Sequence, residues 1–276
     1  MGFFNLFRQK DRKKESNVKL GLALGGGGAR GFAHLGTLKA FEENGITFDF
    51  VAGTSVGSLV GALYSNGLTS EQIIKEAMKL SKRDIITNKI AFMPSKTEGL
   101  QSIVKNILGD VTFKDLKKPF CAVAVDIKSG KEVDIKQGNL AKAIAGSCAV
   151  PGVFNFVDFN EFRLMDGGLQ NTIPSDVVKS MGADFVVAVD CNPNRGYGTE
   201  STKFVDILSA SIRILMKSNA VKGRMFADVL IEPDTKRFKS TKLAGAEEMI
   251  MEGYNAALKK IPEIKNLLAT KIKKHK

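Results

Sequence analysis

The sequence has 276 residues, 43% of them apolar, which favours one large α/β domain with a sizeable core over a disordered chain. The formal net charge is +12, but nine of these charges lie in residues 1–16 and 259–276, so the body lacks the basic stripe typical of nucleic-acid enzymes and no nucleic-acid partner is expected. No apolar run approaches the roughly 18 residues of a membrane-spanning helix. Three separated cysteines, Cys121, Cys148 and Cys191, predict reduced core thiols in a cytoplasmic protein.

Residues 1–17 are predicted to form an appended N-terminal arm, in which apolar residues precede basic ones. This order is the reverse of a secretory signal and suits a short interfacial anchor or a docked terminal helix. Residues 271–276 form a basic tail. The two basic ends fit peripheral contact with an anionic membrane at the inner face, and they fit solvated tails equally well.

Residues 18–65 predict a strand, a loop, a helix, a strand, a turn and a second helix. Val18–Leu24 is a short apolar run, Arg30–Asn44 has helical spacing, Phe48–Ala52 is again apolar, and Ser55–Ser65 continues as a helix. This order is typical of a parallel sheet joined by crossover helices, so the fold class is α/β.

Residues 69–118 are mostly helical, polar and irregular, and we interpret them as an insertion or cap beside the site. The elements that follow complete a domain over residues 18–270. They are a hairpin (120–126 and 131–135), a short helix (140–148), two short strands (154–159 and 162–165), a helix (174–181), a buried strand (184–190), a long amphipathic helix (204–223), a last strand (228–232) and a last main helix (244–260).

The turn Gly53-Thr54-Ser55-Val56-Gly57 matches the pattern G-x-S-x-G and lies where a predicted strand meets a predicted helix. In such a turn the backbone bends sharply, and the serine stands at the apex in a strained conformation. Gly53 and Gly57 let the neighbouring backbones approach, and helix N-terminal amides favour developing negative charge. Ser55 is therefore the candidate nucleophile, against the alternative of a glycine-rich packing turn.

The loop Gly25–Gly31 opens with four glycines, which are expected where backbone N–H groups must point at a ligand. Gly26, Gly28 and Gly31 satisfy G-x-G-x-x-G, which fits a dinucleotide site or an oxyanion hole. The oxyanion hole is favoured, because the next strand brings the serine turn instead of a ribose-binding acid. A P-loop is excluded, since Gly-Lys-Ser/Thr is absent. Arg30 either braces the loop by an ion pair or holds an anionic head group.

A Ser-His-Asp triad needs a histidine, and the chain has His34 and His275. His275 is next to last in a lysine-rich tail, and His34 is expected to be a packed or partly exposed residue of the first helix. A carboxylate base is therefore expected, and the best candidate is Asp166 in Asp166-Gly167-Gly168, although an Asp-Gly turn can also be free of chemistry. Desolvation and hydrogen bonding can make an aspartate basic enough to accept the serine proton.

The three segments Gly26–Gly31, Gly53–Gly57 and Asp166–Gly168, in this order, resemble the patatin-like phospholipase family. The resemblance covers roughly residues 18–173 and implies a three-layer α/β/α sandwich with a mainly parallel sheet. It also implies hydrolysis of acyl esters in lipids by a Ser–Asp dyad, with no metal and no cofactor. Carried over, Ser55 is the nucleophile and Asp166 the base. The oxyanion hole falls on Gly26, Gly27, Gly28, Ala29 and Arg30, and Gly31, Gly53, Gly57, Gly167 and Gly168 support the motifs.

Other functions remain open at this stage. An acyltransferase on the same scaffold would pass the acyl group to an alcohol, but related acyl-carrier transferases place a histidine where this chain has Thr54. A non-catalytic lipid-binding regulator is disfavoured by the intact Ser55 and Asp166, and a nucleotide-binding module is weaker still. The sequence leaves the lipid head group, the acyl chain and the oligomeric state open.

Overall fold

The computed structural model describes residues 18–80, 94–192 and 198–274. Within them, eight strands form one sheet: β1 (Leu20–Leu24), β2 (Phe50–Thr54), β3 (Phe120–Asp126), β4 (Lys131–Ile135), β5 (Val157–Phe159), β6 (Phe162–Asp166), β7 (Phe185–Val189) and β8 (Val229–Ile231). The α-helices of the described residues are α1 (Phe32–Glu43), α2 (Val56–Ser65), α3 (Ser70–Lys79), α4 (Glu98–Leu108), α5 (Leu140–Ser147), α6 (Ser175–Ser180), α7 (Phe204–Phe226) and α8 (Ala246–Lys274). Short 3₁₀ turns occur at Gly28–Gly31, Phe113–Asp115 and Gly167–Leu169.

The central strands β3, β2, β1, β7 and β8 are adjacent in that order, and all four pairings between them are parallel. Antiparallel pairing is confined to β4 and β6 on β3 and to β5 on β6. The strands of the parallel part are buried on both faces, which explains their nearly continuous apolar runs. The expectation of a mainly parallel sheet is confirmed.

Successive side chains of β1 point to opposite faces of the sheet. Leu22 and Leu24 join the larger hydrophobic cluster, with residues of α1, α2, α5 and α8. Ala23 joins the smaller cluster on the other face, with Val177 of α6 and Ala220 of α7. The sheet therefore lies between two helical layers, and the expected three-layer α/β/α arrangement is confirmed.

The last helix differs from its sequence prediction. We expected it to end near residue 260, yet α8 runs to Lys274 with Pro262 inside it. Ile261 and Ile264 are buried beyond that point, so apolar packing continues past the proline and holds the helix together. Residues 271–274 of the expected basic tail are thus helical.

The expected insertion, residues 69–118, contains α3 and α4. Thr69 caps α3 as the sequence indicated, because its hydroxyl accepts from the amide of Gln72 and its own amide donates to the Gln72 side chain. Cys121, Cys148 and Cys191 are buried and free, as expected. The expected N-terminal arm and His275 lie outside the described residues. None of the described helices combines the length and the apolar character required to cross a membrane.

Candidate active site

Strand β3 brings the two candidate residues together. Along one edge it pairs with β4 through residues 122–126. Along the opposite edge it pairs first with β2, where Thr54 lies opposite Val123, and then with β6, where Asp166 lies opposite Ala124. Because β2 is parallel and β6 antiparallel to β3, these two strands meet at their carboxyl ends. Ser55, which follows β2, therefore lies beside Asp166.

Ser55 adopts φ 55° and ψ −129°, a left-handed backbone that a residue with a side chain rarely adopts. Its amide donates to the hydroxyl of Ser147 at 2.9 Å, and that hydroxyl donates to the carbonyl of Val123 at 2.6 Å. A methyl group on Gly57 would lie 2.1 Å from the carbonyl oxygen of Leu24. The glycine thus permits the tight turn, and Ser147 holds the strained serine against β3.

The hydroxyl of Ser55 donates to Oδ2 of Asp166 at 2.6 Å, and the amide of Gly168 donates to Oδ1 at 2.8 Å. Ser55 is 6% exposed and Asp166 is fully buried. This burial raises the pKa of the Asp166 carboxyl to about 6, against the opposing effect of the two hydrogen bonds. The pair is therefore a desolvated carboxylate in direct contact with a hydroxyl.

The turn after Asp166 approaches the neighbouring chain closely. A methyl group on Gly167 would lie 2.2 Å from the carbonyl oxygen of Val123, and one on Gly168 would lie 2.2 Å from Cε of Met216 in α7. Glycine at both positions lets the aspartate turn pack against β3 and beneath α7.

The glycine loop lies against the serine, since a methyl group on Gly26 would be 3.4 Å from Cβ of Ser55. The amide of Gly26 donates to the carbonyl of Thr172, that of Ala29 to the carbonyl of Ser240, and that of Arg30 to the carbonyl of Gly27. The amides of Gly27 and Gly28 make no hydrogen bond within the described residues. Three of the five amides suggested by the sequence are therefore bonded within the protein, and the other two have no backbone partner among the described residues.

Comparison with known proteins is decisive for the family. Residues 22–179, more than half of the chain, match the family model described as patatin-like phospholipase. The chain belongs to the patatin-like phospholipase family. The resemblance found in its motifs is thus confirmed.

Two curated relatives illustrate the similarity. Neuropathy target esterase sws of Drosophila melanogaster is 30% identical over 257 residues, which are 90% of this chain and 17% of that protein. An uncharacterised NTE family protein of Mycobacterium tuberculosis is 34% identical over 181 residues, which are 64% of this chain and 50% of that protein. The chain therefore spans half or less of the length of these relatives.

The crystal structure of VipD from Legionella pneumophila superposes with a TM-score of 0.61 at 14% identity, covering 89% of this chain and 67% of that one. At this level of identity the likeness concerns the fold alone.

Arg30, in the glycine loop of this patatin-like chain, is 1% exposed. Its Nε and Nη2 donate to the carbonyl of Phe238 at 3.0 and 2.9 Å, and Nη1 donates to the side chain of Asn192. Of the two roles considered from the sequence, the contacts match bracing of the loop. The partners are neutral oxygens, however, and not the carboxylate of the ion pair that we expected.

His34 is buried beneath the same loop. Its Nε2 lies 2.8 Å from the carbonyl oxygen of Gly25 and must donate to it, while Sγ of Cys191 lies 3.4–3.5 Å from the ring nitrogens. Burial lowers the pKa of the imidazole to about 4, so the ring is neutral near pH 7. The side chain supports the start of the glycine loop, in keeping with the expected packed residue.

In the part of the chain that the structure describes, no group of three or more His, Cys, Asp or Glu side chains is placed to hold a metal ion. Several contributors to the site were not predicted from the sequence, among them Ser147, Thr172, Asn192, Phe238 and Ser240. Ser147 begins the stretch Ser147-Cys148-Ala149-Val150-Pro151, which resembles the family's segment before the aspartate but carries no sign of a contact with Ser55. Phe238 and Ser240 act through backbone carbonyls, which carry no residue-specific signal.

Proposed function

We propose that this protein is a serine acyl-hydrolase that cleaves acyl esters of lipids with Ser55 as nucleophile and Asp166 as base. The observation that carries the proposal is the 2.6 Å hydrogen bond from Ser55 Oγ to a fully buried carboxylate. A carboxylate in contact with a hydroxyl at the apex of a strand–helix turn suits nucleophilic catalysis. The family match and the similarity to a relative named as an esterase support lipid esters as the substrate class.

The first chemical step is attack of Ser55 Oγ on the ester carbonyl carbon while its proton passes to Oδ2 of Asp166. The raised pKa of Asp166 assists this step, because a carboxylate with a pKa of about 6 is a better base than an exposed one. The amide of Gly168 on Oδ1 keeps the other carboxylate oxygen fixed during the transfer.

The oxyanion of the tetrahedral intermediate would lie against the glycine loop. We assign its stabilisation to the amides of Gly27 and Gly28, since those of Gly26, Ala29 and Arg30 already donate to carbonyls of the protein. One such donor contributes roughly 3–4 kcal/mol of transition-state stabilisation in a well-studied hydrolase. Protonated Asp166 then returns the proton to the leaving alcohol, and water hydrolyses the acyl-enzyme.

The assignment is tested by labelling with a fluorophosphonate probe and by hydrolysis of a soluble nitrophenyl ester. We expect Ser55→Ala to abolish labelling and Asp166→Asn to lower kcat by about 10²- to 10⁴-fold. Asp158→Asn, a matched change of an exposed carboxylate on β5, should behave like wild type. Continued labelling of Ser55→Ala, or full activity of Asp166→Asn, would refute the dyad.

The lipid substrate is identified by lipid profiling after incubation of membrane extracts with wild type and with Ser55→Ala. Loss of an acyl lipid with release of free fatty acid, seen with wild type alone, supports hydrolysis. Appearance of a new acylated product without fatty acid would favour acyl transfer instead.

Three buried free thiols support a reducing cytoplasmic compartment as the site of action.

A further inference from the structure

Helix α7 carries an unusual amount of exposed apolar surface. Eight of the fifteen exposed large apolar side chains found among the described residues belong to this helix. They are Phe204, Ile207, Leu208, Ile214, Leu215, Val221, Met225 and Phe226. Phe204 and Met225, near the two ends, are 76% and 79% exposed. Large exposed apolar patches on a protein mark sites of interaction with other proteins or with membranes.

The exposed residues follow helical spacing and form one face, which we call the α7 stripe. Ser211, Ser218 and Lys222 interrupt it. The two hydroxyls donate to the carbonyls of Ile207 and Ile214 one turn earlier, and the Lys222 ammonium is paired with Asp176 and Glu132. Hydroxyls bonded in this way can enter an apolar phase without losing a hydrogen-bond partner. The stripe is therefore predominantly apolar, and the polar side chains on it have partners within the protein.

The opposite face of α7 packs on the candidate active site. Met216 lies against Gly168, and its carbonyl accepts from the hydroxyl of Thr172. The side chain of Asn219 donates to the carbonyl of Leu169, in the 3₁₀ turn that follows Asp166. The α7 stripe is thus the outer surface of the helix that covers the aspartate turn.

A second surface adjoins the other half of the site. Residues 236–242 contact the glycine loop, because Ser240 accepts from the amide of Ala29 and Phe238 accepts from Arg30. In this segment Lys236, Lys239 and Lys242 are exposed. We call it the lysine segment. Its positive charge would attract an anionic surface brought up to the glycine loop.

We propose that the α7 stripe and the lysine segment together dock the protein on an anionic lipid membrane. The apolar face of an amphipathic helix enters the headgroup boundary, while flanking lysines interact with anionic lipids. The charge complementarity favours a lipid surface over a second copy of this chain, which would bring its own lysines. Docking on the membrane does not depend on the proposed function. Delivery of substrate from the membrane to Ser55 does depend on it.

The test uses the full chain with Ser55→Ala, which prevents any hydrolysis of the vesicles, and measures co-sedimentation with phosphatidylcholine vesicles with and without phosphatidylglycerol. We expect Leu208→Glu with Leu215→Glu to weaken binding to the mixed vesicles by about tenfold or more. Met251→Glu with Leu258→Glu, a matched pair of exposed residues on α8, should bind like the parent. Equal loss in both pairs would overturn the role of the stripe.

The charge contribution is tested separately. Lys236→Gln, Lys239→Gln and Lys242→Gln together should weaken binding to the mixed vesicles and reduce its salt dependence. A control removes the same charge from α8 by Lys259→Gln, Lys265→Gln and Lys273→Gln. Binding lost only in the control would assign the contact to the C-terminal lysines and overturn the proposal.

Two further readouts identify other occupants of the stripe. Size-exclusion chromatography with light scattering should show the same mass for the parent and the Leu208→Glu, Leu215→Glu variant. A dimer that this variant dissociates, with no vesicle binding, would make a second copy the occupant and overturn the proposal. Vesicle binding that appears only after deletion of residues 1–17 would make that segment the occupant, with the same consequence.

The catalytic consequence is measured with the nucleophile restored. The Leu208→Glu, Leu215→Glu variant should lose at least about tenfold more activity on vesicle lipid than on a soluble ester. Absence of any hydrolysis by the wild-type protein would refute the proposed function and leave the binding result untouched. An equal loss on both substrates would refute delivery from the membrane.

Discussion

Asp166 shows how one residue can combine burial with chemistry. Its carboxyl is surrounded by protein, and desolvation disfavours its charged form, yet Ser55 and Gly168 each donate a hydrogen bond to it. The result is a carboxylate that still ionises in the neutral range but holds a proton more readily than an exposed aspartate. A general base is most effective when its pKa lies near the pH at which the enzyme works, and the raised pKa of Asp166 brings it closer to that range.

The pH dependence of activity follows from this pKa. Because the base must be ionised, kcat/KM on a soluble ester should rise with pH through about 6 and level off above it. Below that pH, Asp166 is protonated and cannot accept the proton of Ser55. We expect His34→Gln to keep the acidic limb of this pH profile, that is, the rise of kcat/KM through about pH 6, since His34 is neutral over the same range. A limb that disappeared in His34→Gln and survived in Asp166→Asn would make the histidine the base.

At the scale of single residues, the sequence predicted the candidates whose chemistry depends on the type of side chain. Ser55 and Asp166 belong to short glycine-rich patterns, and a shortage of histidines pointed from a triad to a carboxylate. The sequence did not indicate which amides of the loop would lack a backbone partner among the described residues, namely those of Gly27 and Gly28. Which amides of the loop bond internally depends on carbonyls of Thr172 and Ser240, whose positions are set by tertiary packing.

At the scale of elements, the site exists because β2 and β6 end against neighbouring residues of β3. The C-terminus of α5 adds a further connection, since the hydroxyl of Ser147 joins the amide of Ser55 to the carbonyl of Val123. One side chain thereby connects a helix end, a strand and the strained turn. Strand periodicity predicts β2 and β6 separately, but their end-to-end placement depends on pairing that no local pattern specifies.

Ser147→Ala tests this connection. The substitution leaves one buried donor and one buried acceptor without partners, a cost of roughly 1–3 kcal/mol for each group. Relaxation of the Ser55 backbone should lower kcat per labelled active site by about 10- to 100-fold, with KM little changed. The measurement combines fluorophosphonate titration with steady-state kinetics.

Ser65→Ala is the matched control, because Ser65 is a buried serine of α2 whose hydroxyl has no partner among the described residues. It should retain wild-type kcat. If Ser147→Ala lowered thermal stability but left kcat per labelled site unchanged, Ser147 would be a structural residue with no part in positioning Ser55.

At the scale of the whole molecule, the patatin-like match over residues 22–179 is not the whole of the folded unit. Arg30 is held by Phe238, Ala29 is held by Ser240, and α1 packs along α8. The alternation of strands and helices predicted the α/β class from local patterns. It did not predict that the last helix would close over the first, because such a contact depends on packing between distant segments.

Two glycines permit that closure, and they supply a test. A methyl group on Gly253 of α8 would lie 1.8 Å from the carbonyl oxygen of Ala33, and one on Gly36 of α1 would lie 1.8 Å from that of Ile250. Alanine at position 253 gains about 1 kcal/mol of helix propensity, while overpacking costs about 1–3 kcal/mol. A rigid backbone carbonyl cannot rotate away, so the upper part of the cost applies and the helices must separate.

We therefore expect Gly253→Ala to lower the unfolding temperature by about 4–8 °C, for a net loss of about 2 kcal/mol. Because α1 follows the glycine loop directly, a displaced α1 should also shift the amides of Gly27 and Gly28 and reduce kcat. Gly198→Ala, at a position with no described atom within 4 Å of the added methyl group, should change neither quantity. A Gly253→Ala protein as stable and as active as wild type would show that the α1–α8 approach does not hold the glycine loop in place.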